Sequence, residues 1–289
     1  MNGRLLYFFT KSFLQKISYY DYVLIKGEAL SVMAYGKVGQ RNTTDIDILT
    51  SRGNVSKIEK LLLDEGYEQD NSTRESRIFC LSKSHQIVPF TKKIDIFKTS
   101  VDVNFDIFWG EYVGKKIDIL DFISDPVQMS IYGCQIKTLS PLKSFVQLVL
   151  HHYKDMNSIF LLATEKCFKF DMFRDIYNLL KNNSKDISLE NLYSISAAYE
   201  IIPYVYYILY HTGLLFNDET LNEYIDAFAT EEGKNLLDCY GLDESERRKW
   251  KIDFQTRLEK DSLYDTIKSD LTAKDIEKIA INRKVFLDE

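Results

Sequence analysis

Apolar residues recur at helical spacing from Arg4 to Tyr20, where Leu5, Phe8, Phe9, Phe13, Leu14 and Ile17 form one stripe of an amphipathic helix. The pattern then changes. Tyr22-Val23-Leu24-Ile25 is a short apolar run ending at Lys26-Gly27 and predicts a buried strand. Glu28 to Tyr35 returns to helix, with Ala29, Leu30, Val32, Met33 and Ala34 apolar. Asp45-Ile46-Asp47-Ile48-Leu49 predicts a second strand. A helix beginning at Asn54 follows through Ile58, Leu61, Leu62 and Leu63, and Gly66 ends it as a C-cap. Strand, helix, strand, helix opens an α/β unit, with the first helix packed behind the sheet.

From Arg77 the period becomes two. Arg77-Ile78-Phe79-Cys80-Leu81 predicts a strand, and Ile87-Val88-Pro89-Phe90 another whose proline marks an edge or bend. Ser100 to Trp109 alternates, with Val101, Val103, Phe105 and Ile107 on one face and Asp102, Asn104 and Asp106 on the other. After a short helix near Ile119–Ile123, Val127–Thr138 predicts a hairpin turning at Gly133. Ser140 can cap a helix that has Pro141 at its first position, and we place a domain boundary there, giving residues 1–139 and 140–289. The second part is periodic for helices to about Val285, broken near Lys181–Lys185, Asn217-Asp218 and Gly241. The expected class is α+β: a mixed sheet flanked by helices, then an all-helical C-terminal domain.

The chemistry gathers in residues 22–50. Alternation along a strand puts Asp45 and Asp47 on one face, roughly 6.6 Å apart along the backbone. Two carboxylates aimed at one point repel unless a cation lies between them, and this spacing suits a pair of magnesium ions in phosphoryl displacement. Gly27, at a strand-to-helix turn, lets backbone N–H groups approach a phosphate at a helix N-terminus. Together these ends describe a nucleoside triphosphate held for transfer. Asp102, on an alternating strand, would add a third carboxylate if that strand lay beside Asp45.

The order of these features resembles the polymerase-β-like nucleotidyltransferase superfamily, marked by a glycine turn and then a strand carrying Asp-x-Asp. Within it, the chain is similar to a bacterial family of largely uncharacterised nucleotidyltransferases reading Leu-Lys-Gly-x-Ala, then Arg-x-x-x-Asp-x-Asp. Here these are Leu24-Ile25-Lys26-Gly27-Glu28-Ala29 and Arg41-Asn42-Thr43-Thr44-Asp45-Ile46-Asp47. Where the superfamily often has Gly-Gly or Gly-Ser, this chain has Gly27-Glu28, losing a small residue or hydroxyl beside the phosphates. The family's third acid often sits in Asp-hydrophobic-His-aromatic; Asp102-Val103-Asn104-Phe105 matches with Asn for His, and Asp95 and Asp106 compete for the role. His152 or Lys154 in the first helix of the second part, and Arg174-Asp175 in a later one, stand where the family tends to carry a His and an Asp. The resemblance spans about residues 20 to 180.

The resemblance implies a nucleotidyltransferase-fold sheet and transfer of a nucleoside monophosphate from a triphosphate to an acceptor hydroxyl, releasing pyrophosphate. Asp45, Asp47 and Asp102 would bind Mg2+, with two ions expected, and Lys26, Gly27 and Arg41 would meet the phosphates. The acceptor would be a small molecule, peptide or protein. Two alternatives stand beside this: a toxin or defence enzyme modifying transfer RNA or a protein, and a degenerate nucleotide-binding or scaffolding module.

Composition narrows the partners. At 45% hydrophobic and 28% charged residues over 289 positions, the chain has the composition of an ordinary globular protein. A net charge of −6 supplies no overall basic excess for the phosphates of a long nucleic acid, which is therefore disfavoured as acceptor. Cysteines at 80, 134, 167 and 239 form no C-x-x-C pair, and histidines at 85, 151, 152 and 211 give no zinc spacing. Ile201–Phe216, the most apolar run, is short for a membrane span and contains Pro203 and His211, so a buried helix is expected. With no signal-peptide pattern at the start, a cytoplasmic location away from membranes is expected.

Overall fold

The computed structural model describes residues 3–69, 73–164 and 168–287. The chain divides into two compact units: one runs up to Gly110 and includes Lys116–Ser144, the other joins Glu111–Lys115 to Phe145–Leu287.

In the first unit, α1 (Gly3–Ile17) leads to β1 (Tyr22–Ile25), α2 (Gly27–Tyr35), β2 (Asp45–Thr50), α3 (Arg52–Asp64) and α4 (Arg74–Lys83). Then come β3 (Phe90–Ile94), β4 (Phe97–Asn104), the short α5 (Ile119–Phe122), β5 (Val127–Ile131) and β6 (Cys134–Thr138). The six strands form one mixed sheet in the order β3-β4-β2-β1-β6-β5. Antiparallel pairing joins β1 to β2, β3 to β4 and β5 to β6, whereas β2–β4 and β1–β6 are parallel. All four residues of β1 are buried, as expected of a central strand covered on both faces. Helix α1 lays Leu6, Phe13, Leu14 and Ile17 inward and packs against β6, α3 and β4.

The segment Arg77–Leu81 is not a strand: it lies within α4. Thr73 and Ser76 close a reciprocal capping box at its start, which satisfies the first free amides of a helix. The guanidinium of Arg77 then grips both carboxylate oxygens of Glu59 in α3 at 3.0 and 2.6 Å. The Ile87–Phe90 segment is extended only in part. Gln86 bridges Asn104 and Ile87 N–H donates to Val103 O, but regular pairing begins at Phe90. Likewise β4 stops at Asn104, because the amides of Phe105 and Asp106 turn to the carbonyl of His85. The β5–β6 hairpin turns at Tyr132-Gly133, both with positive φ (49° and 78°), the backbone of a primed hairpin turn.

The second unit carries α6 (Pro141–Asn157), α7 (Ile159–Thr164), α8 (Phe170–Asn182), α9 (Leu189–Ala198), α10 (Ile202–Gly213), α11 (Glu219–Phe228) and α12 (Glu231–Leu237). These are followed by β7 (Cys239–Tyr240), β8 (Arg248–Lys249), α13 (Phe254–Glu259), α14 (Tyr264–Ile267) and α15 (Ala273–Phe286). The small β7–β8 ribbon departs from an all-helical reading of this part. Helix α10 is the buried helix foreseen: His211 on it is fully enclosed, packs against Phe254 and bonds through Nδ1 to Tyr207 O at 2.8 Å. Burial pushes its pKa down to about 3, so the ring is neutral and donates that bond. Among the described residues no helix is long and apolar enough to cross a membrane. Cys80, Cys134 and Cys239 are free thiols; Cys167 lies outside the described residues.

Candidate active site

Asp45, Asp47 and Asp102 and the competitors Asp95 and Asp106 belong to the first unit. The parallel pairing of β2 with β4 sets Asp47 directly beside Asp102 and Asp45 beside Ser100. Side chains of paired residues project to the same side, and alternate residues share a face, so Asp45, Asp47 and Asp102 share one side of the sheet. Ile46, Ile48, Val101 and Val103 take the opposite side, all buried. The competitors are elsewhere. Asp95 is exposed in the turn that joins Ile94 to Phe97, with φ 53°, and Asp106 follows the strand and accepts the Phe108 N–H at 3.0 Å.

The turn at residues 26–27 is built for a cation at one end and a close approach at the other. Lys26 has φ 58° and ψ −140°, a backbone state costly for any residue with a Cβ. From it the side chain reaches back to Asp47, Nζ to Oδ1 at 3.1 Å, with both groups largely removed from solvent. Gly27 follows at φ 47°, and a Cβ there would press on Thr43 Cγ2 at 3.3 Å. The positive φ favours glycine here, and a side chain would also require Thr43 to give by a few tenths of an ångström. Arg41 lies across the turn, its guanidinium donating to Gly27 O at 3.4 Å.

The electrostatics reflect crowded negative charge. The Asp45 carboxyl is pushed up to about 6, first by burial and then by the charge of Asp47, with Lys26 and Arg41 pulling the other way. A proton held more tightly in the folded than the unfolded chain stabilises the fold at low pH, and this contribution is lost as pH rises through about 6. A divalent cation at this site must displace that proton. Any divalent cation bound there would therefore be expected to hold more weakly as pH falls below about 6, by up to about tenfold per pH unit. Calorimetric titration between pH 5 and 8 measures this, and Asp45→Asn should flatten the profile.

Glu28, the departure at the glycine turn, is engaged by the loop that follows α2. Its side chain is 1% exposed and ties down the loop that follows α2: Gly39 N–H donates to Oε2 at 2.7 Å, and Tyr132 Oη donates to Oε1 at 3.4 Å. Ser31, one turn further along α2, grips the same loop, donating to Lys37 O at 2.9 Å and accepting Gln40 N–H at 3.0 Å. That loop carries Arg41 and lines a cleft of about 570 Å³ together with Arg4, Asn42 and Thr43. Sequence reasoning missed this pair; the available signal was two polar residues three apart in an apolar helix. Glu28→Ala strands the Gly39 amide and should cost about 1–3 kcal/mol. Glu28→Gln keeps an acceptor oxygen and should cost less, a difference visible in thermal melts.

The family described as an uncharacterised nucleotidyltransferase matches residues 19–217. The chain belongs to this nucleotidyltransferase family. Membership makes it a transferase of nucleotidyl groups, and the matched span contains both strands that carry the acids and the turn between Lys26 and Gly27. Among solved structures it is similar to an antigenic nucleotidyltransferase-like protein from Paracoccidioides brasiliensis, at 13% identity over 71% of this chain and 93% of that one. The TM-score of 0.33 is too low for that likeness to carry an argument. No curated protein matches the sequence.

The helical residues noted in the sequence fall in the nucleotidyltransferase's second unit. His151, His152 and Lys154 lie on α6. Arg174 on α8 pairs with Asp171 at 2.9 Å, and Asp175 is buried. Among the described residues, one group of three potential metal ligands has its atoms within 4.8 Å of one another, and it is His151, His152 and Asp155 rather than the three sheet acids. At the sheet, the charge of Asp47 raises the Asp45 pKa and the ammonium of Lys26 pairs with Asp47.

Proposed function

We propose that the chain is a Mg2+-dependent enzyme moving a nucleoside monophosphate from a nucleoside triphosphate to a hydroxyl of a small molecule, peptide or protein, with release of pyrophosphate. The observation that carries this reading is the β2–β4 register, which sets Asp47 beside Asp102 on the face shared with Asp45. The donor set fits the ion: three hard carboxylates on adjacent strands suit Mg2+, and a lysine ammonium already answers the same negative potential. Asp45, Asp47 and Asp102 would hold it, in one or two ions. When bound, Mg2+ supplies charge that offsets the developing negative charge of the transferring phosphoryl group.

The chain's own residues do the rest. The strained turn presents the N-terminus of α2 to an anion, where unbonded amides and the helix dipole favour phosphate. Lys26 and Arg41 neutralise the phosphates that leave, and Asp102 receives the acceptor's proton as its oxygen bonds to the α-phosphorus. The bond between the α-phosphorus and its bridging oxygen to the β-phosphate breaks, and pyrophosphate departs. The test uses triphosphates labelled at either the α or the γ position, with Mg2+ and panels of hydroxylated small molecules, peptides, proteins and transfer RNA. Label from the α position should enter one class of acceptor; label entering from the γ position instead would make the protein a kinase and end the reading.

A further inference from the structure

Helix α6 brings two imidazoles and a carboxylate together within the second unit. Residues one turn apart on a helix are neighbours, so Asp155 lies beside both His151, four positions earlier, and His152, three positions earlier. Their ligand atoms fall within 4.8 Å of one another. Asp155 Oδ2 sits 3.2 Å from His151 Nε2, and its other oxygen lies 3.2 Å from Lys154 Nζ. The carboxylate thus already faces a ring nitrogen on one side and a positive charge on the other. His152 is 5% exposed, while the side chains of His151 and Asp155 are 22% and 23% exposed. The cluster is sheltered enough to strengthen electrostatic attraction and open enough for an ion to enter.

We propose that His151, His152 and Asp155 form a second cation site, selective for a borderline transition metal such as Zn2+. Donor chemistry separates it from the sheet acids. Imidazole nitrogens with one carboxylate suit Zn2+, Co2+ or Ni2+, whereas Mg2+ takes oxygen ligands and keeps its water. Two nitrogens and one oxygen leave a coordination position for water, so the ion would be accessible rather than sealed. The ammonium of Lys154 competes for the same carboxylate and must swing aside when the metal enters. The spacing of histidines alone gave no such motif, because the third donor is an aspartate. The proposal stands independently of the reaction at the sheet.

The test uses the full chain with millimolar Mg2+ present to saturate oxygen-only sites, and measures Zn2+ binding by competition with a chromophoric chelator. One tight Zn2+ equivalent is expected. His151→Ala and Asp155→Asn should each weaken it by on the order of 100-fold, since loss of even an outer hydrogen-bond partner costs 10–100-fold. Lys154→Met should tighten it. Cu2+ electron paramagnetic resonance gives an independent readout: hyperfine splitting from nitrogen ligands is expected in the wild type and should diminish in His151→Ala. Zn2+ binding that is absent, or equal in the wild type and both ligand variants, overturns the proposal, as does a Cu2+ spectrum without nitrogen coupling. Circular dichroism of each variant confirms that it is folded before its affinity is compared.

Discussion

Asp47→Ala is expected to lower nucleotidyl transfer by about 10³-fold or more while leaving the fold intact. Asp47 sits on β2 beside Asp102 and one strand across from Ile25, whose neighbour Lys26 it holds. On the proposed reading, removing it takes away a cation ligand, and it also leaves the Lys26 ammonium without that carboxylate. Charge stabilisation of the transferring group by a bound metal is worth several kcal/mol, and each 1.4 kcal/mol is tenfold in rate, which sets the scale of the loss. Because the Lys26 side chain is largely buried, losing its partner should lower the melting temperature somewhat while the fold is retained. Single-turnover assays with saturating triphosphate measure the effect, and a melting curve beside the wild type checks the fold. Transfer within about tenfold of wild type would remove Asp47, and with it the sheet face, from the chemistry.

Part of this site was legible because its determinants are local. The apolar run at Tyr22–Ile25, the glycine at 27 and the alternation at Asp45–Leu49 each lie within one element, and each element formed where expected. The segment at Arg77–Leu81 misled for a physical reason. A short apolar run, Ile78–Leu81, mimics a strand, while the helix is fixed by a cap at Thr73 and by the grip of Arg77 on Glu59, eighteen residues away in sequence. The β7–β8 ribbon has too few residues to show any period. Glu28 was visible as a departure from the family pattern, but its partner is the backbone of Gly39, which no side-chain pattern encodes. The third acid was the least readable, since Asp95, Asp102 and Asp106 sit in similar local sequence and only strand register separates them.

That register makes the three positions behave differently on substitution. On the proposed reading, Asp102→Ala should reduce kcat by about 10²–10³-fold with little change in the KM for triphosphate, because Asp45, Asp47, Lys26 and Arg41 would still seat the nucleotide and the lost group would be the one receiving the acceptor's proton. Asp95→Ala should leave both constants unchanged: the residue is exposed in the β3–β4 turn, separated along β4 from the position beside Asp47. Asp106→Ala should act on stability instead, by about 1 kcal/mol, since its carboxylate serves the Phe108 amide just beyond the strand. Measuring kcat, KM and melting temperature for the three variants separates these outcomes. A large loss of kcat at Asp95 with none at Asp102 would mean that the working sheet pairs β2 with β4 in another register, and the carboxylate face built on Asp47 and Asp102 would have to be abandoned.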